Sequence, residues 1–358
     1  MKYEYWFANI ETIGNKRKIA IREQITSAKD LYYIEETKLK KLVKEEEVCH
    51  RILKSVKEWK LNAEYEKLLK KEVECITIQD PRYPEKLKKI SSSPYAIYVK
   101  GRLPKEDKFS VAIVGARNCT PYGAAMARRF AEELAQCDVQ IISGMAMGID
   151  GVSQRAAIEA GGTSFGILGC GADICYPREN IQLYKDLWDK GGIISEQPLG
   201  KRPLAQFFPA RNRLISALSD VVLVIEAKEK SGSLITADMA LEQGKDVFAL
   251  PGPINSELSK GCHYLIKQGA GILISPQDLV EDLGMFHKKN IKNSNENKIL
   301  LESEENIVYS CLDFEPKNLN QLCRMTGLSV QKMLDILVDL ELRGYIGEVS
   351  KNYYVKVK

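Results

Sequence analysis

Apolar residues recur along the chain in two rhythms. Up to about residue 70 they fall at helical spacing on a Lys-, Glu- and Leu-rich background, as in LKKLVKEEEVCHRILKSV, and predict a small helical domain over residues 1–70. Within it, IETIGNKRKIAIREQI reads as two helices broken at Ile13, Gly14 and Asn15. Such a break can turn backbone N–H groups toward a phosphate or be a plain helix corner.

From about Ile76 the rhythm changes. DPRYPEKLKKISSSPYAIYVKG carries Pro81, Pro84 and Pro94 and closes on AIYVKG, a predicted lead-in strand. Seven short apolar runs follow, VAIVG, VQIISG, TSFGILG, GGIISE, VVLVIEA, DVFALPG and GILI, separated by helix-length segments. Strands apolar throughout are buried on both faces, so residues 71–286 are predicted to form an α/β, Rossmann-like domain around a parallel sheet. Its closing helix starts at SPQD, with Ser275 as cap, Pro276 in the first turn and Asp278 on the dipole. The polar stretch over 287–299 predicts a linker. Residues 300–358 predict three helices and a hairpin, a winged helix whose turn spans Thr326 to Ser329, with Ser329 as cap.

The chain has 358 residues, 44% hydrophobic and 28% charged, enough for two or three globular units and unlike a disordered protein. Nine cysteines are scattered without a CxxC pair and only three histidines occur, so neither a disulfide framework nor a metal site is expected. The first residues lack a signal-peptide core and no run of about 18 apolar residues occurs, which predicts a cytoplasmic protein without a membrane span. The net charge of +4 leaves the class of partner open, because clustering on one face is what matters.

Ligands of a doubly wound sheet gather beyond the carboxyl ends of its strands. After the first strand comes GARNCTPYG, where Gly115 permits a turn and Arg117 stands ready for a phosphate or for a surface ion pair. After the second comes SGMAMGID: Gly144 and Gly148 can let backbone approach a ligand, Ser143 offers a hydroxyl, and the next helix offers free N–H groups. Asp150 there is expected to cap that helix. In GCGADICYPREN, Tyr176 can stack on a base or pack beneath the loop. FFPARNRLISALS places Arg211, Asn212 and Arg213 just before a helix, where two guanidiniums around an amide suit phosphates. Ser231, Gly232 and Ser233 form a second oxyanion-friendly loop.

Neither GxGxxG nor GxxxxGK[ST] is present, so bound NAD or ATP is not expected and no cofactor is assigned. No serine in these loops has a histidine beside it, so no catalytic dyad is expected.

Read in order, VGARNCTPYG, ISGMAMGID, ILGCGADICYPREN, IISEQP, FPARNRLISALS, SGSLITADMALEQGKDVFALPG and KGCHYLIKQGAG resemble the DprA/Smf family of DNA-processing proteins, over about Tyr83 to Gly271. The resemblance implies a SAM/HhH-like helical start, a Rossmann-like core and a winged-helix end. It further implies a non-catalytic protein that binds and protects single-stranded DNA in natural transformation and helps load the RecA recombinase, commonly as a homodimer. Family binding positions fall on Arg117, on Ser143 to Gly148, and on the ARNR and SGS segments. Two departures stand out: Gln154 where a histidine is common, and His263 where an asparagine is usual.

The winged helix carries Lys332 and Arg343 against Asp335, Asp339 and Glu341 on its recognition helix, a net acidic face that predicts partner contacts or regulation more than duplex binding. Two other readings stay open. One is a lysine-decarboxylase-like nucleotide N-glycosidase, whose PGGxGTxxE motif is replaced here by SGSLITADMALE; the other is a nucleotide-sensing regulator.

Overall fold

The computed structural model describes residues 1–284, 303–313 and 316–356, so the expected linker over 287–299 lies outside the described residues. Six helices lead: α1 (Lys2–Ala8), α2 (Asn15–Glu23), α3 (Ala28–Tyr32), α4 (Glu36–Leu42), α5 (Glu46–Glu58) and α6 (Leu61–Lys70). The break at Ile13 and Gly14 is a turn between α1 and α2. The helices do not own a separate core. Tyr5, Trp6 and Phe7 of α1 share one apolar cluster with Tyr95, Tyr98, Met145 and Leu183 of the sheet region. The Phe7 and Tyr95 rings meet edge-on at 5.3 Å. Glu4 pins the joint, accepting from the Tyr95 hydroxyl at 2.6 Å and from Arg22 at 2.9 Å.

The α/β region runs β1 (Glu74–Thr77), α7 (Glu85–Lys88), β2 (Ala96–Gly101), β3 (Ser110–Val114), α8 (Pro121–Gln136), β4 (Gln140–Ser143), α9 (Ile149–Glu159) and β5 (Ser164–Leu168). It continues with α10 (Ile181–Lys190), β6 (Gly192–Ser195), α11 (Phe207–Leu218), β7 (Val221–Val224), α12 (Gly232–Glu242), β8 (Asp246–Ala249), α13 (Lys260–Lys267), β9 (Gly271–Ile272) and α14 (Pro276–Asp282). The sheet order is β1-β2-β6-β5-β4-β3-β7-β8-β9. The expected apolar runs are strands β3 to β9, parallel to one another, with β3 to β7 buried at every residue.

The sheet is not parallel throughout. AIYVKG is β2, which runs antiparallel to β6, and β1 adds antiparallel to β2. A strand buried on both faces has the same apolar pattern in either direction, so the sequence carries no sign of this reversal.

Ser275 caps α14 by accepting from the Asp278 N–H, as its spacing predicts. The C-terminal region holds α15 (Ser303–Cys311), β10 (Lys317–Asn318), α16 (Leu319–Thr326), α17 (Val330–Leu342), β11 (Ile346–Ser350) and β12 (Tyr353–Lys356), three helices and a β wing around Leu322, Leu337 and Leu340. Ser329 accepts from the Lys332 N–H at the start of α17, the expected cap.

Candidate nucleic-acid interface

Strand order reverses between β3 and β7, and the crevice beyond their carboxyl ends is where a doubly wound sheet places ligands. The helix after β3, whose N-terminus holds the pyrophosphate in dinucleotide-binding folds, is already occupied here. Glu226, two residues past β7, accepts from the Thr120 N–H at 2.9 Å and its hydroxyl at 2.5 Å, while Thr120 caps α8. A Cβ at Gly123 would stand 2.4 Å from this carboxylate. The protein thus supplies its own anion to α8.

Burial pushes the Glu226 carboxyl up from its ordinary value of 4.5, against the pull of the Thr120 hydrogen bonds. The folded state therefore holds this proton more tightly than the unfolded chain. Stability falls as pH rises from about the ordinary carboxyl value through the raised one. Glu226→Gln is expected to flatten that decline when urea midpoints are compared between acidic and neutral pH.

The second loop is clamped from within. The Gly144 N–H donates to Asp150 at 3.0 Å, and the Gly144 carbonyl accepts from Arg211 at 2.8 Å. The Met145 N–H donates to Gln154 at 3.0 Å, and the Met145 and Ala146 carbonyls accept from Asn180 at 3.0 and 3.1 Å. Asp150 lies in the first turn of α9 but turns back to the loop instead of capping the helix, whose N-cap is Gly148. Burial raises the Asp150 carboxyl despite the attraction of Arg211, and lowers Arg211 to about 10, which leaves it charged at neutral pH.

The glycines serve these contacts and not an open cradle. A Cβ at Gly115 would stand 2.7 Å from Ile149, one at Gly144 would stand 2.7 Å from Arg211 and Asp150, and one at Gly148 would stand 2.3 Å from the Ala116 carbonyl. The Ser143 hydroxyl, expected to face a ligand, is fully buried and donates to the Ile113 carbonyl at 2.6 Å.

ARNR also sits differently from its expected place. It is not ahead of a helix but inside α11, where the chain has already turned down across the sheet. Arg211 is buried and donates to the Gly144 and Ile167 carbonyls and to the Asn212 side chain. Asn212 donates to the Gly232 carbonyl at 3.1 Å. Arg213 donates to the Ser92 carbonyl and hydroxyl at 3.1 Å and to Glu196 at 2.7 Å. Ser231 caps α12, its hydroxyl 2.7 Å from that of Ser233, and Gly232 is exposed at this helix start.

What faces outward is Arg117. It is exposed, no carboxylate among the described residues pairs with it, and its guanidinium lies 5.8 Å from the Phe208 ring. The Phe208 ring in turn faces Tyr176, 41% exposed, with centroids 5.4 Å apart and planes 33° from parallel. Tyr176 thus leans on a neighbour while keeping much of its face open. Sequence reasoning passed over Phe208, although FFPARNR displays it, and also the exposed Arg178, Arg202, Lys228 and Lys230 on loops leaving β5, β6 and β7. Their signal was position after a strand, diluted by Glu179 and Glu229 beside them.

The sequence model of DNA recombination-mediator protein A matches residues 74–284, the region that builds this crevice. The chain belongs to that family. A DprA winged helix domain matches residues 294–350. Within the recombination-mediator family, Protein Smf of Escherichia coli K12 is 39% identical over 278 residues, 76% of this chain and 74% of that protein. The DNA processing protein DprA of Streptococcus pneumoniae is 40% identical over 206 residues, 58% and 73% of the two chains. The X-ray structure of DprA from Streptococcus pneumoniae superposes with a TM-score of 0.69 at 31% identity, covering 79% of this chain and 98% of that one. The Helicobacter pylori DprA structure, which concerns its single-stranded DNA binding mode, gives 0.55 at 31% identity over 61% and 99%.

Both departures from the recombination-mediator pattern are built into the packing. Gln154 is fully buried and bridges the Met145 N–H to the Phe165 carbonyl at 3.0 Å on each side. His263 pairs with the Gly252 carbonyl at 2.9 Å. In the winged helix, Lys332 pairs with Glu304 at 2.5 Å and Arg343 with Glu305 at 2.6 Å and also with Asp339, so both cations are neutralised within the domain. Val330, Leu334, Val338 and Leu342 lie exposed along α17. Among the described residues no group of acidic, His and Cys side chains is placed to hold a metal, and no helix is long and apolar enough to cross a membrane.

Proposed function

We propose that this recombination mediator binds single-stranded DNA along the carboxyl edge of its sheet, without catalysing a reaction. The observation that carries this reading is Arg117 over Phe208, with Tyr176 beyond it: an unpaired guanidinium next to two partly open aromatic rings. A single strand offers what such a row takes, a phosphate for the cation and unstacked bases for the rings. The exposed Arg178, Arg202, Lys228 and Lys230 extend the positive edge, and the exposed Gly232 adds the positive end of the α12 dipole. The family relationship and the single-strand binding mode of the Helicobacter pylori protein point the same way. The loop hydroxyls and carboxylates of the crevice are committed to internal bonds, which favours binding over N-glycosidase chemistry, and Glu226 on α8 disfavours a sensor of small nucleotides.

The biological setting we infer from the family is cytoplasmic protection of incoming DNA in natural transformation and delivery to RecA. A homodimer is supported by the edge strand β9, where Ile272 is exposed and Ile274 is exposed just past the strand. The test is titration with labelled single- and double-stranded oligonucleotides at two salt concentrations. Tighter, salt-sensitive binding of the single strand is expected, and equal or absent binding refutes the reading. Removing residues 298–358 is expected to leave most single-strand affinity, because Lys332 and Arg343 of the winged helix are already paired; a large loss refutes that assignment.

A further inference from the structure

We propose that Arg211 and Asn212 are positioning residues that staple the loops after β4 and β7 to one turn of α11, and that neither touches DNA. The inference rests on the single-strand reading above. Arg211 reaches back to the loop after β4, holding the Gly144 carbonyl at 2.8 Å, and also holds the Ile167 carbonyl at the end of β5. Asn212, its neighbour, reaches the other way to the loop after β7, holding the Gly232 carbonyl at 3.1 Å. The Arg211 Nε donates to the Asn212 side-chain Oδ1 at 3.2 Å, so the two grips brace one another.

Both side chains are buried, 7% and 9% exposed, and the Arg211 Nε and Nη1 and the Asn212 amide nitrogen all donate to protein atoms. A phosphate taking the place of the Gly144 carbonyl on Arg211 Nη1 would have to displace that peptide. Asp150 closes the other side of that peptide, accepting its N–H at 3.0 Å, so the unit is held between a buried cation and a buried anion. The two loops flank β3, from which Arg117 projects. One helical turn thereby fixes the loops on either side of the outward-facing Arg117, and a site held in place binds an anion better than one that must first be ordered.

Salt dependence separates a positioning arginine from a contacting one, because each phosphate neutralised on a single strand adds about 0.7 to the slope of log affinity against log salt. Oligo-dT binding of the full chain is measured by fluorescence anisotropy over a salt series for Arg211→Met with Asp150→Asn, which removes both buried charges together, and for Asn212→Ala. Each is expected to weaken binding by on the order of tenfold, with the wild-type slope retained. Amide hydrogen exchange is expected to quicken at residues 144–148 in the first variant and at 231–233 in the second, with the β3 core unchanged.

A slope reduced by about 0.7 in the Arg211 variant marks a direct phosphate contact and overturns the proposal. Unchanged affinity together with unchanged exchange in Asn212→Ala, which alters no charge and is expected to fold, overturns it as well. Absence of oligo-dT binding by the wild-type chain refutes the DNA reading instead, and the exchange measurement still decides whether α11 clamps the loops.

Discussion

Arg117→Ala is expected to weaken single-strand binding by about ten- to a hundredfold and to lower the salt slope by about 0.7. The fold loses nothing with this side chain. It is exposed, makes no ion pair among the described residues, and lies with its guanidinium 5.8 Å from the Phe208 ring. The loss therefore reads out in binding alone, with the melting temperature unchanged. The contrast with Arg213 is instructive, since that guanidinium is held by Ser92, Ala210 and Glu196 and its side chain is only 13% exposed. An Arg117→Ala protein that kept wild-type affinity and slope would move the binding track elsewhere on this edge.

Gly148→Ala is expected to cost about 3 kcal/mol or more of stability and to abolish the binding geometry with it. Gly148 has φ 71° and ψ −132°, backbone that only glycine adopts without strain. An added Cβ would also stand 2.3 Å from the Ala116 carbonyl oxygen and 2.4 Å from that of Arg117, backbone atoms that cannot swing aside. The substitution forces the loops after β3 and β4 apart, and with them Arg117 and the start of α9, which are joined by the Ile149 N–H to the Ala116 carbonyl at 3.2 Å. Gly232→Ala is the control. Its Cβ meets nothing within 4 Å, and a change within about 0.5 kcal/mol is expected. Urea midpoints of the two variants, measured side by side, check both statements.

The sequence by itself determined the elements, because their signals are local. The apolar runs that became β3 to β9, the caps at Ser275 and Ser329, and the three helices and wing of the C-terminal region all depend on neighbours a few residues away. The ordered loop motifs also marked where the crevice lies and which family it belongs to. What only the tertiary structure decided is the direction in which each loop residue points. Glycines at 115, 144 and 148 announce a close approach of backbone, yet protein atoms fill the approach. Arg117, Arg211 and Arg213 are alike as letters, but Arg211 finds its carbonyl partners 44 and 67 residues away and is drawn inside, while Arg117 finds none and stays outside. The same holds for Glu226, which meets Thr120 from 106 residues away and fills the helix terminus a nucleotide would need. A guanidinium or carboxylate is committed by whichever partner folding brings within about 3 Å, and at such separations along the chain no local pattern encodes that partner.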